Sequence, residues 1–278
     1  WGLRDYGHPD QLGLEPTPEA YVARMVDVFR EVRRTLTDDG TLWLNVGDSY
    51  AGQPGGFQGK NGQRASRTFT ARIGHDKRAA GLKAKDLCGI PWRLAFGLQN
   101  DGWYLRSDII WHKPNPMPES IKDRPTKAHE YVFLLSKSPR YFYDHKAASE
   151  DATGLGNGNK PTDKHETASR TDPRRRTAAN LSKIGPRDKR SSRSVWTISS
   201  RPFKGAHFAV MPPPLAERCI RAGSAVGDEV LDPFLGSGTV GMVCEALGRR
   251  WFGVELQPDY APLIEQRTAR GPLLARAA

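Results

Sequence analysis

Residues 232–239 read Asp-Pro-Phe-Leu-Gly-Ser-Gly-Thr and separate two predicted elements. The apolar run before them, 229–232, is typical of a short buried strand that ends in an acid, and residues 239 to about 247 have helical spacing. Gly236 and Gly238 would let the backbone of this turn approach a ligand without Cβ clashes. A second strand over 250–255 also ends in an acid, Glu255, at the position where ribose hydroxyls are bound in related folds.

The same alternation of strands and helices continues outward from this turn. Further helices are predicted over 18–36, 82–100, 215–222 and 260–270, and further strands over 41–46, 103–111 and 131–136. Pro91 must lie at a kink or near the start of its helix, because a proline in a helix interior removes a backbone donor. The order predicts an α/β fold with a mostly parallel twisted sheet and helices on both faces.

The glycines on their own suggest three kinds of turn, one of which the sequence excludes. Gly236, Gly238 and Gly241 match the GxGxxG pattern of nicotinamide and flavin dinucleotide sites, a weak signal by itself. A phosphate-binding loop of the GxxxxGK type is excluded, because no lysine follows the glycines. A plain tight turn is the third reading. A dinucleotide enzyme would need a second nucleotide-binding half, and the roughly 40 residues after the motif are too few for it.

The whole segment resembles the cofactor region of DNA N4-cytosine and N6-adenine methyltransferases. The resemblance includes residues 207–212, His-Phe-Ala-Val-Met-Pro, which precede the motif as in that family. It implies a Rossmann-like methyltransferase fold and S-adenosyl-L-methionine as the cofactor, with the turn around its methionine part and Glu255 on its ribose. The implied cofactor residues are Asp232, Pro233, Phe234, Leu235, Gly236, Ser237, Gly238, Thr239, Glu255, His207 and Phe208.

The catalytic tetrapeptide of that family, Ser-Pro-Pro-Tyr or Asp-Pro-Pro-Tyr, does not occur in the chain. Residues 211–214, Met-Pro-Pro-Pro, are not this tetrapeptide, because they lack the aromatic residue and lie before the cofactor strand. Residues 1–7, Trp-Gly-Leu-Arg-Asp-Tyr-Gly, resemble what directly follows the tetrapeptide in a phage and bacterial branch. The cofactor half lies last in the chain, and in the family's β group the cofactor half likewise follows the catalytic half. We therefore expect the catalytic residues upstream of Trp1 and no methyl transfer by these 278 residues alone. A degenerate relic is the alternative.

Residues 107–130 are dense in polar and proline residues and resemble the family's segment on the target-base side of the cleft. Lys113, Asn115 and Arg124 are the candidates there for contacts with phosphates or base edges, and capping of the loop is the alternative role for each. A metal site of His112, His129 and Glu130 lacks a recognised ligand spacing, so we expect no metal.

Charge favours a polyanionic partner, because the 278 residues carry a formal net charge of +11 with a sequence pI near 9.7. Residues 147–194 are polar and basic and separate a catalytic half, 1–146, from a cofactor-binding half, 195–278. This insert is either a target-recognition region or a solvated linker. Its candidate DNA contacts are Arg174, Arg175, Arg176, Lys189 and Arg190.

The remaining composition restricts the class of protein. The three cysteines, Cys88, Cys219 and Cys244, form no CxxC pair, which is typical of a reducing cytoplasm. No apolar run is long enough for a membrane span. The resemblance implies double-stranded DNA as the partner, allows a cognate restriction nuclease, and favours N4 of cytosine as the target. An N6-adenine enzyme, an inactive DNA- and cofactor-binding relic, an RNA methyltransferase and a dinucleotide-dependent oxidoreductase are the alternatives.

Overall fold

The computed structural model describes residues 1–3, 7–51, 81–151, 189–200 and 210–269. The chain forms two units. One comprises Trp1–Tyr143 and Ser194–Ala278, and the other comprises Asp144–Arg193. Among the described residues no helix has the length and apolar character needed to cross a membrane.

Strands and helices alternate along the larger unit except for three consecutive strands in its middle. In chain order its elements are α1 (Pro18–Thr35), β1 (Thr41–Val46), α2 (Ile90–Asn100), β2 (Tyr104–His112), β3 (His129–Ser136), β6 (Val195–Thr197), α3 (Pro213–Gly223), β7 (Glu229–Asp232), α4 (Thr239–Ala246), β8 (Arg250–Gly253), a 3-10 turn (Pro258–Tyr260) and α5 (Ala261–Arg267). The smaller unit contributes β4 (Glu150–Asp151) and β5 (Lys189–Arg190). This alternation confirms the predicted α/β class.

The start of α1 follows from its first residues. The Thr17 side chain accepts a hydrogen bond from the Ala20 backbone N–H at 3.1 Å, and Pro18 occupies the first turn, where its missing N–H costs nothing. Tyr21, Met25 and Phe29 then recur at helical spacing and are buried. The predicted helix is therefore confirmed at this position.

The second predicted helix starts later than expected. The sequence pattern predicts a helix over 82–100, but α2 begins at Ile90. Gly89 has the left-handed conformation, with φ of 69°, and Pro91 lies in the first turn of the helix. The Asp48 carboxylate accepts the Ile90 N–H at 3.2 Å, so the helix is capped by a side chain 42 residues upstream. The local hydrophobic pattern does not predict this cap, because Asp48 is distant from the helix in sequence.

The larger sheet has the order β1-β3-β2-β6 and is mixed rather than mostly parallel as predicted. β3 runs antiparallel to both β1 and β2, and only β6 is parallel to its neighbour β2. A parallel neighbour would need a crossover helix between β2 and β3. Residues 113–128 are rich in proline and form no helix, so the chain returns in the opposite direction.

Helices cover both faces of this sheet, as predicted. Phe133 and Leu135 of β3 join the apolar cluster that contains Phe29 of α1 and Leu94 of α2. The alternating residue Val132 belongs to a different cluster. That second cluster comprises Ile109, Trp111, Val132, Trp196, Ile198 and Leu215 of α3. The period of two along β3 therefore divides the core into two layers.

β7 and β8 form a separate two-stranded parallel sheet connected by α4. Helix α4 lies very close to β8, because a Cβ added to Gly241 would come within 2.8 Å of the Trp251 ring. Gly223 at the end of α3 likewise allows close packing against β1, since a Cβ there would be 2.5 Å from the indole nitrogen of Trp43. Side-chain packing of this kind joins the two sheets.

Candidate functional site

The carboxyl ends of β7 and β8 meet at one point. Asp232 ends β7 and is in register with Gly253, the last residue of β8. The Val254 N–H donates to the Asp232 carbonyl at 2.9 Å, and Leu235 N–H donates to the Val254 carbonyl at 3.0 Å. The glycine-containing turn is thereby fixed directly above the end of β8, which is where open α/β sheets bind ligands.

Two glycines make the turn possible. Gly236 and Gly238 have φ of 54° and 76°, which is the left-handed region that side chains disfavour. A Cβ at Gly238 would also come within 3.3 Å of Ile264. Ser237, between the two glycines, is buried. Both glycines are therefore required for the backbone path itself.

Glu255 is held in place by backbone donors. One carboxylate oxygen accepts the Gly236 N–H at 2.7 Å, and the other accepts the Gln257 N–H at 2.8 Å. Each carboxylate oxygen has two lone-pair sites, so the group can accept further hydrogen bonds while it stays fixed. A pair of ribose hydroxyls is the kind of ligand that such a preorganised acceptor suits.

Asp232 lies close enough to Glu255 for their charges to interact. Burial raises the pKa of Asp232 to about 6, and the negative charge of Glu255 adds to the increase, whereas the hydrogen bond from Phe234 N–H opposes it. Two acids in one partly buried place repel each other until a cation is present. A cofactor that carries a sulfonium and an ammonium group would relieve that repulsion, so the acids fit S-adenosylmethionine.

Ionisation of Asp232 should make cofactor affinity depend on pH. A cationic ligand favours the charged carboxylate, so binding must remove the proton that Asp232 holds below about pH 6. We expect the dissociation constant of S-adenosylmethionine, measured by calorimetry, to rise by up to about tenfold per unit as pH falls below 6. The Asp232→Asn variant should bind weakly at pH 8 and show no such slope. An unchanged slope in the variant would assign the pH dependence to another group.

The loop after β2 uses Lys113 and Asn115 within the protein. The Lys113 ammonium pairs with Glu130 and lies 4.2 Å from the centroid of the Trp111 ring. The Asn115 amide donates to the Ser200 carbonyl at 3.0 Å and accepts the Ser200 N–H at 3.2 Å. Asn115 therefore continues the pairing of β2 with β6 beyond the end of the strands.

Arg124 is held by two different contacts. It pairs with Glu119 at 2.7 Å, and its guanidinium lies 3.7 Å from the centroid of the Tyr50 ring. Lys85 pairs with Asp123 at 2.6 Å beside it. These contacts attach the loop after β2 to residues on either side of the 52–80 segment.

Candidate residues of the smaller unit also have acidic partners. Lys189 pairs with Asp151 at 2.5 Å, and Arg190 pairs with Glu150 at 3.0 Å. Arg193 reaches the same Glu150 oxygen at 2.7 Å. Arg174, Arg175, Arg176, His207 and Phe208 lie outside the described residues.

Sequence patterns did not identify two residues that shape these sites. Asn45 donates to Glu130 at 3.2 Å and to the Tyr131 carbonyl at 2.9 Å, which fixes the acid that pairs with Lys113. Arg267, the last residue of α5, donates to the glycine turn. Both contacts span separate elements, so no local motif indicates them.

Comparison with known proteins decides the family. The N6/N4 DNA methylase family model matches residues 6–266. The chain belongs to this family. Its members are S-adenosylmethionine-dependent DNA methyltransferases, so this DNA methylase uses that cofactor.

Curated relatives agree over nearly the whole chain of the methylase. It is 47% identical to the type II methyltransferase M.XycI of Xanthomonas campestris pv. cyanopsidis over 267 residues, which is 96% of this chain and 77% of the relative. It is also 47% identical to M.SmaI of Serratia marcescens over 270 residues, 97% of this chain and 81% of the relative.

Solved structures confirm the Rossmann-like fold of the methylase. The cytosine-N4-specific PvuII DNA methyltransferase superposes with a TM-score of 0.59 at 20% identity, covering 96% of this chain and 76% of that one. A Thermus thermophilus protein solved with S-adenosyl-L-methionine gives 0.56 at 23% identity, covering 94% and 83%.

Proposed function

We propose that this DNA methylase transfers a methyl group from S-adenosylmethionine to the exocyclic N4 amine of a cytosine that is flipped out of the duplex. The cofactor site in this proposal rests on the pair of acids, Asp232 and Glu255, beside the glycine turn whose Gly236 N–H donates to Glu255. N6 of adenine is the alternative target, and an inactive DNA- and cofactor-binding relic is the alternative to an enzyme.

Cytosine is preferred on two grounds. The first residues, Trp1 to Arg4, resemble the branch of the family in which Ser-Pro-Pro-Tyr precedes this stretch. One protein of the same fold is named as cytosine-N4-specific. Either base would have to leave the stack, because an exocyclic amine in a duplex is out of reach of a cofactor pocket.

The chain's own residues would orient the cofactor. The cofactor supplies an electrophilic methyl group on sulfur. Glu255 would accept the ribose hydroxyls, and Asp232 would attract the positive charges of the methionine part. Phe234, which is half exposed and packs edge-on to Phe29 with ring centroids 6.2 Å apart, would cover the turn with an apolar surface.

DNA would contact the loop after β2 and the basic insert. Lys113 and Arg124 have more donors than their acidic partners use, since an ammonium offers three and a guanidinium five. Their partners fix them in place, so they are preorganised to reach a phosphate. Arg174, Arg175 and Arg176 would add charge from the insert, and reading of the target sequence would lie there.

Product analysis tests the target base. The polypeptide translated from the native gene, with any codons that precede Trp1, is incubated with DNA and S-adenosylmethionine, and the nucleosides are separated by mass spectrometry. N4-methylcytosine is the expected product. N6-methyladenine would overturn the cytosine assignment, and absence of any methylated nucleoside would favour the relic.

The 278 residues alone are expected to bind cofactor without transferring methyl groups. They contain no Ser- or Asp-Pro-Pro-Tyr, the tetrapeptide that accepts the hydrogens of the target amine in this family. Tritium transfer to DNA from labelled cofactor measures the activity, and S-adenosylhomocysteine titration confirms that the preparation is folded. Transfer above the protein-free control would contradict the expectation.

A further inference from the structure

The back of the glycine turn is contacted by the C-terminal residue of α5. Arg267 Nη1 donates to the Ser237 carbonyl at 2.8 Å and to the Ser237 hydroxyl at 2.5 Å. Arg267 Nη2 donates to the Thr239 hydroxyl at 3.2 Å. One planar guanidinium thus reaches three oxygens of the turn.

The oxygens that Arg267 contacts are shielded from water. Ser237 and Thr239 are each 3% exposed. The Ser237 carbonyl belongs to the peptide between Ser237 and Gly238, and its direction depends on ψ of Ser237 and on φ of Gly238, which lies in the left-handed region. Glycines resist rotation less than other residues. A turn of this kind needs an external contact to select one orientation.

The turn is therefore held from two sides. Glu255 accepts the Gly236 N–H at 2.7 Å, and Arg267 donates to the carbonyl of the next residue, Ser237. We propose that Arg267 is a positioning residue that fixes the orientation of the Gly236–Thr239 turn for cofactor binding. This inference rests on the proposed cofactor site at Asp232 and Glu255.

An arginine suits this role better than a lysine does. The guanidinium presents its donors in a rigid plane, whereas an ammonium on a flexible stem cannot reach a carbonyl and two hydroxyls in fixed directions. Arg267→Lys should therefore keep the charge and lose most of the positioning, and Arg267→Leu should lose both.

Calorimetric titration with S-adenosylhomocysteine tests the inference on the 278-residue chain. We expect Arg267→Leu to raise the dissociation constant about tenfold and Arg267→Lys to raise it less, with a stoichiometry near one in both. Arg221→Leu is the matched control, because Arg221 pairs with Glu217 in the exposed part of α3. Its affinity should stay within about twofold of the unsubstituted chain.

A Glu255→Ala variant separates the two proposals. The proposed cofactor site is wrong if the unsubstituted chain does not bind S-adenosylhomocysteine. It is also wrong if Glu255→Ala binds this ligand with the same affinity as the unsubstituted chain. If Glu255→Ala binds weakly and both Arg267 variants bind normally, only the role of Arg267 is overturned.

If Arg267→Leu fails to fold, hydrogen exchange of Arg267→Lys tests whether Arg267 orients the turn. In ligand-free Arg267→Lys, the amides of residues 236–241 should exchange faster than in the unsubstituted chain, while those of β7 and β8 exchange at the same rate. General destabilisation would accelerate exchange throughout the β7–β8 sheet as well as at the turn. Unchanged exchange at the turn would overturn the inference.

Discussion

Replacing Glu255 with alanine is expected to raise the dissociation constant for S-adenosylhomocysteine about 100-fold. Hydrogen bonds to a charged group contribute about 1.5–3 kcal/mol each. Even at the lower end of that range, the loss of two from ribose hydroxyls accounts for the ~2.7 kcal/mol that corresponds to two factors of ten. The substitution also removes the acceptor of the Gly236 N–H, so the turn itself loosens. Calorimetry on the 278-residue chain measures the effect.

Two further variants show whether the effect is specific to the Glu255 carboxylate. Glu255→Gln should also bind poorly, because its amide NH2 must face either the Gly236 N–H or the Gln257 N–H as donor against donor. Glu217→Ala removes an exposed acid of α3 and should leave affinity unchanged. Normal binding by Glu255→Ala would remove Glu255 from the cofactor site.

DNA affinity is expected to fall about a thousandfold between roughly 50 and 200 mM salt, which is the decrease for a protein that binds about six phosphates. The formal net charge of +11 makes phosphate binding the main expected contribution. Fluorescence anisotropy of a labelled duplex across a salt series gives the slope. Changing Arg174, Arg175 and Arg176 together to alanine should reduce that slope by roughly three, about 0.9 for each phosphate that is no longer neutralised.

A charge-matched triple variant distinguishes local phosphate binding from general charge. Arg34, Arg221 and Arg250 each pair with an acid on the larger unit. Changing these three to alanine removes the same net charge and should reduce the slope by less than about one. Equal effects of the two triple variants would mean that the insert does not bind DNA. Binding that does not depend on salt would reject the phosphates as the main source of affinity.

Local chemistry predicted the elements whose signals lie in adjacent residues. Thr17 and Pro18 indicated the start of α1, and the glycines after Asp232 indicated the turn between β7 and α4, because both signals lie in adjacent residues. Glu255 could be associated with that turn from sequence, because parallel strands joined by one helix bring their carboxyl ends together.

Contacts between distant residues were not predictable in this way. The antiparallel direction of β3 depends on the absence of a crossover helix in 113–128, a segment whose proline content suggested only a turn-rich connection. The cap of α2 by Asp48 and the contact of Arg267 with Ser237 join elements that are far apart in sequence. Such pairs are set by tertiary packing, which outweighs local pattern.

The division of the larger unit into two sheets has a consequence for cooperativity. Among the described residues β7 and β8 pair only with each other, so the connection to β1 is made by side chains such as Trp43 against Gly223. Strands that share a hydrogen-bonded ladder tend to open together, whereas side-chain contacts couple their neighbours more loosely. We therefore expect the β7–β8 sheet with α4 to open as a subglobal unit while the larger sheet, which includes β6, persists. A bound ligand would then protect the β7–β8 sheet far more than the rest of the larger unit.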